Sequence, residues 1–176
     1  MRGITSCDFV TRIPVCPSNG LPMYREFNDE EVETLAAFIQ TPEFAAIKQK
    51  PPYQRAYDVA HHLGDTMSPV GFSLSLSAWW YETDAFVANP RIQDSFLREA
   101  EAELGRSDAD GAPVLAALTA FAAAHAGRDD YARRWLAEGR SRLGDNPQGI
   151  AYLEAVAACL ADISAAGCAP DDRFEP

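Results

Sequence analysis

The sequence predicts an all-α protein, a compact helical bundle whose C-terminal half is repeat-like and antiparallel. Two observations indicate helices along most of the chain: a cap residue followed by proline recurs, as in Thr41-Pro42 and Asn89-Pro90, and apolar residues at helical spacing follow. A third is the alanine-rich stretch 113–166, whose small residues suit close packing of antiparallel helices. With 47% hydrophobic residues, the chain can build an ordinary core.

The chain divides into three parts. Residues 1–27 carry turn signals and a short strand-like run at 9–13, which predicts an extended N-terminal arm packed on the body. Residues 28–166 are expected to form a single all-helical domain, and 167–176 a polar C-terminal tail.

Each helix of the first half has a local start signal. Asn28 has the position of an N-cap, with Asp29, Glu30 and Glu31 in the first turn, where the helix dipole favours acidic residues. Pro42 begins a short helix, and Pro52–Leu63 forms the next, which ends at a glycine.

Two segments of the middle region are harder to interpret. Phe72–Ser77 alternates apolar residues with serine, a strand pattern, although the longer segment favours a helix, so both readings stay open. After Asn89-Pro90, apolar residues predict a helix to Leu104, with Glu99 and Glu103, one turn apart, on its solvated side.

The alanine-rich stretch predicts helices at 113–126, 129–143 and 147–166, with Ala120 facing Ala132. It resembles a tetratricopeptide-type helical hairpin, on five positions: Ala120, Gly127, Tyr131, Ala132 and Leu136. The resemblance covers 113–166 only, since no second copy precedes residue 106. The aromatic that the family has early in its first helix is absent. It implies a concave face that binds a peptide or protein, and no family chemistry.

Charge narrows the classes of partner. A net charge of -11 and a pI near 4.6 argue against nucleic acid and anionic membranes, which would repel the protein. A basic protein is the partner that this charge favours, although acidic surfaces also serve solubility alone.

Location and cysteine chemistry are linked. The N-terminus lacks the features of a signal peptide and no run is long enough to span a membrane, which predicts a cytoplasmic protein if Met1 is the native start. Cys7 and Cys16 share their spacing with Cys159 and Cys168; we expect free thiols in a reducing compartment, with disulfide pairing left open.

The best metal or catalytic candidate is a group on the third predicted helix. Asp58 lies one turn before His61 and His62, and His125 is the one further imidazole. Histidines at a helix end are also favoured by the helix dipole without any ligand. No nucleophile elbow, local Cys–His signature or phosphate-binding glycine loop is present, so we expect no cofactor and do not favour an enzyme.

The best candidate for partner binding is an aromatic group with two acidic neighbours: Trp79, Trp80, Tyr81, Glu82 and Asp84. Adjacent helical residues point in different directions, so three consecutive aromatics do not all face one core unless the helix is packed on several sides. An exposed aromatic beside a carboxylate suits an Arg or Lys side chain. Arg134 and Glu138 are expected to pair along one helix face.

These observations predict a protein-binding module, most concretely an acidic, stoichiometric inhibitor of a basic enzyme or toxin, of the immunity-protein type. Low lysine with abundant arginine and alanine suits a GC-rich bacterial genome. The alternatives are a metal-dependent helical-bundle enzyme that uses His61, His62 and Asp58, and a homo-oligomeric scaffold.

Overall fold

A computed structural model describes residues 13–107, 111–144, 147–163 and 168. In these residues the secondary structure is helical apart from one isolated antiparallel bridge between Val15 and Pro22, which confirms the all-α prediction. The helices are α1 (Asp29–Phe38), α2 (Pro42–Ile47), α3 (Pro52–His62), α4 (Pro69–Tyr81), α5 (Thr83–Val87), α6 (Pro90–Leu104), α7 (Gly111–His125), α8 (Asp129–Arg142) and α9 (Pro147–Ala161). None of them is long and apolar enough to cross a membrane.

The helices begin at the predicted caps. Asn28 and Glu31 form a reciprocal capping box at the start of α1: each side chain accepts a hydrogen bond of 2.9 Å from the other's backbone N–H. The side chains of Thr41 and Asn89 cap α2 and α6 in front of their prolines. Local chain chemistry therefore sets where these helices start.

The buried apolar residues form two clusters. The smaller one joins α1 and α2 to the arm and includes Leu21, Phe38 and Phe44. The larger one runs through α3 to α9. Arg25 holds the described part of the arm in place, because its guanidinium lies 2.6 Å from both Glu31 Oε1 and Asp65 Oδ2. Most of the strand-like run at 9–13 lies outside the described residues.

The segment Phe72–Ser77 is helical, inside α4. Helix α4 packs against both α3 and α6, so apolar residues are buried on more than one side of it, while Ser73 is exposed. Ser75 is fully buried; its hydroxyl donates to Glu99 at 2.7 Å, and its oxygen lies 3.0 Å from the Phe72 carbonyl oxygen. Apolar alternation here reflects two packing partners and not a strand.

Helices α7 and α8 form the antiparallel hairpin that the alanine-rich stretch predicted. Gly127, with φ of +68°, ends α7 in a conformation that favours glycine, and the Arg128 N–H donates to the Ala123 carbonyl at 2.8 Å. The helices approach closely at Gly139, where an added Cβ would lie 3.3 Å from Ala116 Cβ. Ala120 and Ala132, the predicted partners across the hairpin, are both fully buried in the larger core.

The C-terminal cysteines correct the expectation of free thiols. Cys159 and Cys168 form a disulfide, with their Cα atoms 5.6 Å apart. Cys168 belongs to the predicted polar tail, yet it is 3% exposed and packs in the larger core; 169–176 lie outside the described residues. Cys16 has a free thiol, and Cys7 lies outside the described residues.

Candidate functional site

The predicted aromatic group is split between the core and the surface. Trp79 has no exposed surface, and its ring packs edge-on against Phe121, so the prediction that it contacts a partner is wrong. Trp80 is half-buried, whereas Tyr81 is 52% exposed and stacks on Tyr53 with ring centroids 5.3 Å apart. Of the three aromatics, Tyr81 is the one that a partner can reach fully.

Glu82 has a structural role that its sequence position did not indicate. Its carboxylate accepts hydrogen bonds from the backbone N–H groups of Tyr53 (2.6 Å) and Gln54 (3.1 Å), at the start of α3, where Pro51 provides no side-chain cap. Burial raises the pKa of the Glu82 carboxyl, and these two hydrogen bonds oppose the rise. Glu82, at the junction between α4 and α5, is therefore a cap for α3 supplied from elsewhere in the chain, while its predicted companion Asp84 is exposed.

Glu99 is buried, although its spacing from Glu103 predicted a solvated position. It is 1% exposed and accepts hydrogen bonds from the Tyr57 hydroxyl at 2.8 Å and the Ser75 hydroxyl at 2.7 Å. Burial raises the pKa of Tyr57, so the phenol keeps its proton and remains a donor. This centre joins α3, α4 and α6 inside the core and opens onto no ligand.

The structure does not arrange the alternative metal ligands, Asp58, His61, His62 and His125, as a metal site. Asp58 is 6% exposed, and its two oxygens accept from Lys50 Nζ (2.6 Å) and from Arg91. His62 stacks on the Phe38 ring, with centroids 3.6 Å apart. Throughout the described part of the chain, no three His, Cys, Asp or Glu side chains are grouped so that they could hold a metal ion.

His125 lies in the core of the bundle beside Trp79. Its Nδ1 is 3.0 Å from the Phe121 carbonyl oxygen and 3.4 Å from Trp79 Nε1. Burial lowers the pKa of His125, which keeps its ring neutral near pH 7. Packing and hydrogen bonding therefore explain the presence of His125 at this position.

A polar pocket of about 520 Å³ opens where α2, α3 and α6 meet. Three helices and the loop after α2 supply its lining, which is Glu43, Ala46, Ile47, Lys50, Asp58, His61, His62 and Arg91. Sequence reasoning found the three residues of α3 and missed Lys50 and Arg91, because no local pattern connects them to that helix.

A second, smaller groove of about 270 Å³ lies between α6 and α8. It is lined by Glu101, Leu104, Arg134, Trp135 and Glu138. Trp135 is 3% exposed, and its buried indole Nε1–H has no hydrogen-bond partner. A buried donor without a partner is costly, so this N–H lowers the stability of the α6/α8 contact.

Ion pairs at this groove differ from the predicted one. Arg134 pairs with Glu101 of α6, and Glu138 pairs with Arg142 at 2.7 Å, so the expected Arg134–Glu138 pair is wrong. The Arg134 guanidinium also lies 4.6 Å from the Tyr131 ring centre. The groove therefore has acidic side chains on both walls and an arginine held across it.

Comparison of the chain with protein-family models, with curated proteins and with solved structures finds no match. The function is therefore argued from the two surface sites. Both offer fixed polar groups beside apolar surface, which is the chemistry of non-covalent recognition.

Proposed function

We propose that this protein is a protein-binding module, most concretely an acidic, stoichiometric inhibitor of a basic enzyme or toxin. The observation that supports it best is the α6/α8 groove, which is lined by Leu104 and Trp135 between charged side chains. Tryptophan is among the residue types enriched at the energetic centre of protein interfaces.

The groove has room for one side chain of a partner, which would pack on Leu104 and on the part of Trp135 that lines it. Glu101 and Glu138 stand on opposite walls and pair with Arg134 and Arg142, so an Arg or Lys side chain of a partner would exchange with those arginines. The net charge of -11 would speed the approach of a basic partner.

Two further features support the same proposal. One wall of the groove, α8, belongs to the hairpin that resembles a tetratricopeptide unit, a family whose helices bind peptides. Tyr81 and Asp84 remain exposed members of the predicted contact group and would form a second, outer contact.

The alternatives have less support. A metal-dependent enzyme would need the Asp58 carboxylate, which two cations already occupy. A homo-oligomeric scaffold is tested directly by sedimentation of the purified protein, since it requires self-association at micromolar concentration.

A cytoplasmic location is the weakest part of the sequence-based hypothesis. The Cys159–Cys168 bond favours an oxidising compartment, because cytoplasmic reductants keep most thiols free. Alkylation of the protein in native cells, followed by mass spectrometry, shows whether Cys159 and Cys168 are bonded or free, and so distinguishes an oxidising compartment from the cytoplasm.

The experiment that tests the function combines capture with two matched variants. Immobilised wild-type protein is used to capture partners from the native host at low salt, and binding of the recovered partner is then measured directly. Leu104→Arg fills the groove and should abolish binding, whereas Val114→Arg, at an exposed apolar position of α7 outside it, should not. Binding by a folded Leu104→Arg variant at wild-type affinity would reject the groove as the interface.

A further inference from the structure

The polar pocket between α2, α3 and α6 is organised by one buried carboxylate. Lys50 comes from the loop after α2, Arg91 from the first turn of α6 and Asp58 from α3. Each oxygen of Asp58 accepts from one of the two cations, which fixes both on the same wall. The side chain of Asp58 is 5% exposed, against 36% for Lys50 and 55% for Arg91.

The charges of this trio do not cancel. One carboxylate faces two cations, so the trio has a net charge of one positive unit, whose exposed part is the Lys50 ammonium and the Arg91 guanidinium. An ammonium has three N–H donors and a guanidinium five, and a single carboxylate leaves further donors for a ligand. Glu43 also lines the pocket and offsets this charge, so what the pocket offers an anion is the pair of exposed donors, Lys50 and Arg91. This is the opposite of the metal cation that Asp58, His61 and His62 suggest from sequence.

The rest of the lining describes the ligand further. A volume of about 520 Å³ exceeds that of a simple oxyanion and lies in the range of small-molecule sites. Ala46 and Ile47 offer an apolar wall for an organic group, and His61, one turn after Asp58, adds an imidazole. Glu43 suits a hydroxyl or amine donor on the ligand and disfavours a second anionic group there.

We propose that this pocket binds a small organic phosphate monoester, a function separate from the proposed protein-binding groove. The phosphoryl oxygens accept hydrogen bonds from Lys50, Arg91 and His61, and the organic group packs on Ala46 and Ile47. The dianion matches the positive trio better than a carboxylate does, since arginine binds phosphate through paired donors. The overall acidity of the chain does not prevent this, because distant charges are screened beyond about 8 Å at physiological salt.

The test is a titration of the full chain with phenyl phosphate, followed by nuclear magnetic resonance of the histidine ring protons. We expect saturable shifts at His61 and His62, none at His125, and weaker binding of inorganic phosphate, which lacks the organic group. Arg91→Gln should weaken phenyl phosphate binding about tenfold, the loss of one charged hydrogen bond. Arg91 is half-exposed and Lys50 still compensates Asp58, so this variant should fold.

The matched control is Arg140→Gln, which makes the same charge change at an exposed position of α8 outside the pocket and should leave binding unchanged. Equal weakening by both variants would show a non-specific charge effect and overturn the proposal. So would equal binding of phenol, an absence of saturable shifts at millimolar phenyl phosphate, or stoichiometric Zn²⁺ binding at His61 and His62. Failure here would leave the α6/α8 groove untouched, because the two sites share no residue.

Discussion

The helices before Ser107 and those from Gly111 onward are held together in different ways. In α1–α6, buried or half-buried acidic side chains reach from one helix to another: Glu99 to Tyr57 and Ser75, Asp58 to Arg91, and Glu82 to the start of α3. In the described residues of α7–α9, no Asp, Glu, Lys or Arg is buried. There the helices approach through alanine and glycine, as at Gly139 and Ala116.

This difference separates two kinds of sensitivity. A polar contact between helices depends on charge and on a hydrogen-bond partner, and a change of side-chain size near it is tolerated if the partner stays. Close packing of alanines depends on volume and is indifferent to pH. A change of charge should therefore destabilise α1–α6 most, and a change of side-chain size should destabilise α7–α9 most.

The largest effect is expected at Glu99. Glu99→Ala leaves the Tyr57 and Ser75 hydroxyls without their carboxylate partner and opens a cavity, which should lower the free energy of unfolding by about 3 kcal/mol or more. Urea denaturation measures it. Glu103→Ala, one turn later at a partly exposed position, should cost under about 0.5 kcal/mol. Equal costs at the two sites would mean that the buried centre does not stabilise α3, α4 and α6.

Size should matter most in the hairpin. Ala132 is fully buried between α7 and α8, so Ala132→Leu should overpack the contact and cost about 1–3 kcal/mol. Ala137, exposed on the same helix, takes leucine with little change and serves as the control. The same cost is expected for Ala120→Leu, which is also fully buried. Thermal unfolding of Ala132→Leu at the wild-type temperature would show that the hairpin is not closely packed there.

Loss of the cap from Glu82 should have a smaller effect. Glu82→Ala leaves the Tyr53 and Gln54 N–H groups at the start of α3 without this acceptor, at a cost of about 1 kcal/mol. Hydrogen exchange should speed up in the first turn of α3 and stay unchanged in α8. Glu33→Ala, at an exposed position of α1, is the control. Uniform acceleration through α8 would mean that the two regions do not open separately.

The smallest effect is expected for the loss of stability at low pH through Glu31. The Arg25 guanidinium lowers the pKa of Glu31 from an ordinary 4.5 to about 2, and the hydrogen bond from the Asn28 N–H adds to it. Because the folded-state pKa is lowered, this contribution to stability is present above the ordinary pKa and is lost as pH falls toward about 2. Glu31→Gln should flatten the dependence of the urea midpoint on pH in that window. If the urea midpoint of the variant depended on pH as steeply as that of the wild type, Glu31 would not be the group responsible for the loss of stability in acid.

The sequence predicted well whatever depends on neighbours along the chain. The caps at Asn28, Thr41 and Asn89 and the glycine end of α7 involve residues within a few positions of each other. They were predicted because the chemistry of a helix end is local.

What the sequence could not predict is which helices become neighbours. Glu99 and Glu103 share one face of α6 by spacing, yet only Glu99 meets the junction of α3 and α4. Trp79 lies on a helix packed on two sides, so periodicity along α4 could not orient it. Asp58 and Arg91 line one pocket although they lie 33 positions apart, and no pattern along α3 indicates that a cation from α6 pairs with this carboxylate.

The cap that Glu82 supplies also has a consequence for how the chain folds as it is synthesised. The acceptor for the N–H groups at the start of α3 is a carboxylate that lies 29 positions further along the chain from Tyr53. Until residue 82 has left the ribosome and α4 has turned back against α3, the first turn of α3 lacks that acceptor and frays. We therefore expect α3 and α4 to become stable as one cooperative unit, and a nascent chain that stops before Glu82 to remain a substrate for chaperones.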